Sequence, residues 1–268
     1  ARESALLQKV TKAWSGHPRI DILGPQGADG TERTGVVSFM LRYGNDSAGL
    51  YLHYNYVAAV LNDVFGVQSR GGCACAGPYA QWLLGMDLER SEDFEKCLAH
   101  TAQEVLRPGF VRAGVHWAMS EEDIEVLIAA VLWVADNGWR LLAAYTFDRE
   151  TGEWLHRMDT PERRRIWLSA IRPPQAADKN PIAELESSLG IGGPISAVGA
   201  APRGAKALVV AADFVLREAY SSSQVSLAFS KWPMLDPVYA HLLWFALPAD
   251  AAHSLRSDRP DQPQLVPG

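Results

Sequence analysis

Cysteine is scarce in this 268-residue chain, three residues in all. An odd, small number excludes a disulfide framework and points to a reducing compartment, so the expected location is the cytoplasm, with an organelle left open. Positive charge is thin as well. Lys and Arg number 25 against 31 Asp and Glu, for a net charge of -6, and only Arg163-Arg164-Arg165 stand together. That distribution excludes a basic stripe for nucleic acid and a polybasic membrane patch, leaving a small molecule or a protein as partner. The longest apolar runs, "DIEVLIAAVLWVA" and "AHLLWFAL", are shorter than a membrane span, so nothing is expected to cross a bilayer. There is no phosphate loop, dinucleotide fingerprint, zinc-protease helix or Gly-x-Ser-x-Gly elbow. The start shows no pattern of basic head, apolar stretch and cleavage site. It begins with Ala rather than Met, which points to processing or to a piece of something longer.

What is present is an ordinary globular composition, 48% hydrophobic and 21% charged, enough to bury a sizeable core. Leu6, Leu7, Val10 and Trp14 fall at helical spacing before Gly16. "IDIL" and "TGVVSFML" read as strands. Val57, Val60, Leu61 and Val64 form a helical stripe that Gly66 closes in a left-handed cap. A helix from Pro78 to Gly85 follows, and another from Ser91, its cap, to Leu106, with Phe94, Cys97, Leu98, Thr101 and Val105 on one side. "GFVRAGVHW" alternates, sending Val111, Ala113, Val115 and Trp117 one way and Arg112, Gly114 and His116 the other. Ser120 and Asp123 make an acidic capping box for a helix whose Ile124, Leu127, Ile128, Val131 and Ala135 face inward until Asn137-Gly138 end it. A hairpin is expected around the turn Asp148 to Gly152. Beyond Pro173-Pro174 come helix candidates "NPIAELESSLG", "AKALVVAADFVLREAY" and "DPVYAHLLWFAL", then a polar, proline-rich tail without structure.

Four residues stand out chemically. In "RGGCACAGPYA", Cys73 and Cys75 lie just ahead of a helix start and near Arg70, two influences that favour a thiolate. On residue type alone, reactive cysteine and space filler both stay open. Zinc is disfavoured, because a structural site wants four ligands and no second cysteine pair exists. Cys97, on an apolar helix face, is a core residue. Arg112 points away from the packed face of its strand, where a planar guanidinium can grip a carboxylate through two parallel hydrogen bonds; a solvated surface arginine is the competing reading. His116 shares that face, with a partly buried structural histidine as its alternative.

Taken together, "RTGVVSFML", "HYNYVAAVLNDVFGVQSRGGCACAGPYA" and "PGFVRAGVHWAMSEEDIEVLI" resemble the C-terminal small domain of class V aminotransferases, the pyridoxal-phosphate family that includes cysteine desulfurases and molybdenum-cofactor sulfurases. The match in order and spacing runs from about Ile20 to Ala135. The resemblance implies an α+β fold, a small antiparallel or mixed sheet covered by helices, over residues 1-172. A helical extension over 173-247 and a disordered tail over 248-268 complete the expected organisation.

The resemblance also implies Cys75 as the sulfur-accepting, catalytic cysteine, Arg112 as the clamp on the substrate α-carboxylate and Arg70 as the arginine at the head of the cysteine turn; His116, from its strand face, is a further substrate-binding candidate. It implies an amino-acid substrate, pyridoxal 5'-phosphate as cofactor and electron sink, and homodimers. With cysteine as substrate, thiolate Cys75 attacks its sulfur and leaves alanine. The family's "R-x-S" reads Arg112-Ala113-Gly114 here, and its "N-T" before the helix reads Met119-Ser120. The cofactor lysine lies in the family's large domain; the only lysines before Arg33 are Lys9 and Lys12, without matching neighbours. The missing large domain is then a required partner, and this chain alone is expected to be inactive. An aminotransferase or lyase without sulfur chemistry, or a non-catalytic interaction module, stands as the alternative.

Overall fold

A computed structural model describes residues 2-25, 34-44, 49-72, 77-157, 204-221 and 235-257. The chain divides into a unit of Ala1–His156 with Gly204–Gly268, and a second of Arg157–Arg203. The candidate boundary at Pro173-Pro174 and the segment "NPIAELESSLG" lie outside the described residues.

The first unit is mixed α+β. Helix α1 (Arg2–Trp14) puts Leu6, Leu7, Val10 and Trp14 into the core, as their spacing requires. Strands β1 (Ile20–Ile22), β2 (Val36–Arg42) and β3 (Tyr51–Leu52) lead to helix α2 (Tyr54–Phe65), which ends on Gly66 at φ 66°. Strand β4 (Arg70–Gly72), helices α3 (Gly77–Leu83) and α4 (Leu88–His100), a 3-10 turn (Glu104–Leu106) and strand β5 (Phe110–Gly114) follow. Long helix α5 (Glu121–Leu141) precedes a hairpin of β6 (Tyr145–Phe147) and β7 (Trp154–His156), which pairs antiparallel around the expected turn. Helices α6 (Ala205–Ser221) and α7 (Pro248–Ser257) flank a 3-10 turn, Pro237–Leu242.

The main sheet is antiparallel in the order β1-β2-β5-β4, with β3 also paired to β2. Alternation along β2 and β5 sends Val37, Phe39, Leu41, Val111 and Ala113 into the core. Helix α5 is the spine of that core, packed by α1, α2 and α6. Its acidic capping box is formed, Ser120 accepting from the Asp123 amide and Asp123 from the Ser120 amide, which contributes about 1 kcal/mol.

Several local expectations are corrected. Helix α5 runs through Asn137-Gly138 to Leu141, because Gly138 serves close packing instead of termination: a Cβ there would meet Val134 Cγ1 at 2.9 Å and Leu52 Cδ1 at 3.3 Å. With the turn after it, Glu121–Ala144 is therefore long and apolar enough to cross a membrane by length and composition, although 56% of its apolar 18-residue window is buried within the protein. Asp87, not Ser91, caps α4; Ser91 is buried one turn in, its hydroxyl donating to the Asp87 carbonyl. The helix stops at His100, so Val105 reaches the core from the 3-10 turn.

Trp117 is 61% exposed, since the strand ends at Gly114 and the alternation lapses. The segment "DPVYAHLLWFAL" forms a 3-10 turn followed by an extended stretch in which Phe245 bridges Tyr51 in parallel. Finally, Pro248–Ser257 is helical where a structureless tail was expected; Asp250 accepts from the Leu247 amide, and Ala251 and Ala252 are buried.

One residue ties these parts together. His53 is wholly buried and precedes α2, where its Nδ1 accepts from the Asn55 amide at 3.1 Å and its Nε2 donates to the Val105 carbonyl at 3.0 Å. Tyr54, Trp154, Trp244 and Phe245 surround the ring at 4.2, 5.5, 5.4 and 4.8 Å between centroids. Burial pushes its pKa down from 6.5 to about 3, against the small upward pull of the Val105 carbonyl. The unfolded chain thus binds the proton first as pH falls below 6.5, so stability is complete above that value and declines beneath it. Denaturant titrations between about pH 7 and pH 5 should show a loss of up to ~1.4 kcal/mol per pH unit. His53→Asn, which keeps an acceptor for the Asn55 amide, should be less stable at neutral pH and lose most of that slope. A slope unchanged in this variant would place the titrating group elsewhere.

Candidate functional site

The second face of the sheet carries the polar residues. Directly paired residues on antiparallel strands share a face, with Cβ atoms about 5 Å apart. Ser38 on β2 stands opposite Arg112 on β5, and Arg112 opposite Arg70 on β4, so the three form one row. One step along, Met40 and Phe110 are buried with Ala80 of α3, which covers this part of the face. A further step brings Arg42, paired across to Tyr51 on β3, beside Asp21 of β1. An apolar band thus separates two polar ends.

The two ends differ in how their charges are met. Arg42 is neutralised: its Nη2 reaches Asp21 Oδ2 at 2.8 Å, and its guanidinium lies over the Tyr51 ring at 5.3 Å. The Tyr51 hydroxyl donates to Asp21 Oδ2 at 2.8 Å. Burial and then that hydrogen bond push the phenol up to about 12, so it stays protonated. A cleft of about 520 Å3 opens at this end, lined among others by Asp21, Met40, Tyr51, Leu84, Arg90 and Trp244.

At the other end, Arg112 is half-buried and its Nε and Nη2 are shut from solvent without a hydrogen-bond partner. Arg70, exposed, adds a second positive charge, and among the described residues neither side chain has an acidic partner. Like charges on directly opposed residues repel by up to about 1 kcal/mol. Buried donors left unmade cost about 1–3 kcal/mol more. An arginine held in this way presents a planar fork suited to a carboxylate.

Local packing explains why β4 sits beside β5. The Tyr54 ring, first residue of α2, lies over Gly71 and Gly109, where a Cβ would meet its Cδ2 and Cε1 at 2.6 Å. No larger residue admits that approach. Asn55 reaches past to donate to the Gly152 carbonyl at 2.7 Å, fixing the hairpin turn to the same helix end.

The other candidates fall as follows. Cys73 and Cys75 lie outside the described residues, in the four-residue connection between Gly72 of β4 and Gly77 of α3. Cys97 is free and buried in the core, as expected. His116 is exposed beyond the end of β5, where Nδ1 accepts from the Ala118 amide and the ring packs on Trp117. The structure brings Arg112 and Arg70 together and sets His116 in the turn before α5.

Ser38 was missed in the sequence, although its alternation with Val37 and Phe39 placed it on Arg112's face. The described lysines, Lys9, Lys12, Lys96 and Lys206, stand on α1, α4 and α6 and none on the sheet. Among the described residues no lysine stands on the sheet face, so none there could hold pyridoxal phosphate through a Schiff base. No group of three metal-ligating side chains occurs among the described residues. No family model, curated protein or solved structure matches the chain.

Two substitutions check this geometry. Arg112→Met removes an uncompensated charge and should leave the thermal midpoint unchanged or raise stability by about 1–3 kcal/mol; a loss above about 1 kcal/mol would reveal a structural partner for Arg112. Gly109→Ala should cost about 1–3 kcal/mol by displacing the Tyr54 ring, and a variant as stable as the parent would show that β5 does not depend on that contact.

Proposed function

We propose that this chain is the C-terminal small domain of a pyridoxal-phosphate-dependent enzyme of the class V aminotransferase type, acting on an amino acid. The observation that carries the reading is Arg112, whose Nε and Nη2 are buried and unpartnered on the open face of an antiparallel sheet. Arg112 binds the α-carboxylate and so fixes the amino acid's orientation. The element order supports the same reading: a strand with Ser38, helix α2, strand β4 with Arg70, a cysteine-bearing connection, strand β5 with Arg112, and a capped helix. Pyridoxal phosphate supplies an electron sink when bound, and its lysine belongs to a large domain outside this chain. Cys75 takes sulfur from a cysteine substrate as a persulfide, leaving alanine; in a transaminase or lyase it has no such part.

The test starts from the longer protein obtained by extending the reading frame upstream of Ala1, with its absorption spectrum recorded before and after borohydride reduction. A cofactor band that reduction fixes to the chain is expected. Arg112→Ala should keep the band and lower amino-acid affinity by 100-fold or more, in line with about 3 kcal/mol for a charged hydrogen-bonded pair. Label retained on Cys75 after incubation with sulfur-labelled cysteine assigns desulfuration, and its absence assigns the non-sulfur chemistry. A longer protein that binds no cofactor would overturn the enzyme reading and leave an interaction module.

A further inference from the structure

We infer that the arginine row selects amino acids that carry a second anionic group, the dicarboxylic amino acids. This rests on the reading of Arg112 as the α-carboxylate clamp and goes past it, because one carboxylate leaves the row unbalanced. The register pairs Arg70 directly with Arg112 across β4 and β5, so both guanidinium groups rise from the same face. Like charges opposite each other in a sheet repel, and among the described residues no carboxylate answers either one. The contrast with Arg42 is on the same face: there Asp21 supplies the balancing charge within the fold. A ligand with one negative charge neutralises Arg112 and leaves Arg70 facing it. A ligand with two neutralises the pair, Arg112 taking the α-carboxylate through its buried donors and Arg70, exposed, taking the side-chain carboxylate. Ser38, next in the row, offers a hydroxyl donor to the same ligand.

The experiment is calorimetric titration of the 268-residue chain with L-aspartate, L-glutamate and L-alanine at matched ionic strength. One dicarboxylic amino acid should bind at least tenfold more tightly than L-alanine. Arg70→Gln should reduce that preference to about twofold or less, lowering dicarboxylate affinity more than L-alanine affinity. Arg112→Gln, shown folded by circular dichroism, should abolish binding of all three, and Lys206→Gln, which removes a cation elsewhere, should change none. Equal affinity for L-alanine and both dicarboxylic acids would overturn the selectivity and leave the Arg112 clamp standing. A preference lost equally in Lys206→Gln would overturn it as bulk charge attraction. Failure of all three to bind would overturn both this inference and the clamp.

Discussion

A neutral imidazole buried among aromatic rings is the interaction on which the rest of the fold depends. His53 cannot be charged where it stands, and it spends its two ring nitrogens on two backbone groups, the amide of Asn55 and the carbonyl of Val105. These bonds set where α2 begins and hold the 3-10 turn against it. Because α2 begins there, Tyr54 lies over Gly71 and Gly109, and β4 is pressed beside β5 in the register that pairs Arg70 with Arg112. The C-terminal segment closes the same box: Trp244 stacks on His53 and donates to the Leu106 carbonyl at 3.0 Å, while the Tyr51 amide donates to the Trp244 carbonyl and the Ala246 amide to the Tyr51 carbonyl. The site residues are thus positioned by packing that none of them makes.

The distribution of charge on the open sheet face runs against stability at one end only. Arg42, Asp21 and Tyr51 form a closed set in which every charge is met. Among the described residues Arg112 and Arg70 do not, and the penalties of repulsion and unmade bonds together come to about a fifth of a typical domain's net stability. A fold that neutralises one arginine internally has the means to neutralise another. Leaving the pair open makes physical sense where the missing negative charge arrives with a ligand, since a preorganised, poorly solvated guanidinium binds an anion without first shedding water.

Much of this was legible in the sequence wherever periodicity and local chemistry coincide. The stripes of α1 and α2, the Gly66 cap, the Ser120–Asp123 box, the Asp148 turn and the two faces of β5 follow from spacing of three to four, or of two, together with residues that demand one backbone geometry. Arg112's place on the open face followed from the same alternation. What escaped was decided by contacts distant in sequence. Gly138 reads as a stop until Leu52 and Tyr56 are seen to need its missing side chain and its carbonyl. Strand β4 is three residues including two glycines and carries no strand signal; only Tyr54 and β5 make it a strand. The residues from Pro248 look too polar to order, yet α7 needs only Ala251 and Ala252 on the core and an Asp250 bond at its start. His53 offered no sign of its burial, since a lone histidine before a helix is more often a solvated cap.

Arg70 has a second physical explanation, and weighing it sharpens the first. β4 is the edge of the sheet, and edge strands commonly carry a charge that discourages pairing with another chain. That accounts for an exposed arginine at the start of a short edge strand. It does not account for Arg112, which lies on an interior strand between β2 and β4, where no edge needs protection and where burying two guanidinium nitrogens without partners only costs stability. An edge-guarding role would also be served by Glu or Asp at position 70, and either would have neutralised Arg112 directly across the ladder. A cation in that place withholds the neutralisation and doubles the positive charge that an incoming anion would meet, which supports the proposed ligand reading of the pair, with edge protection as a by-product.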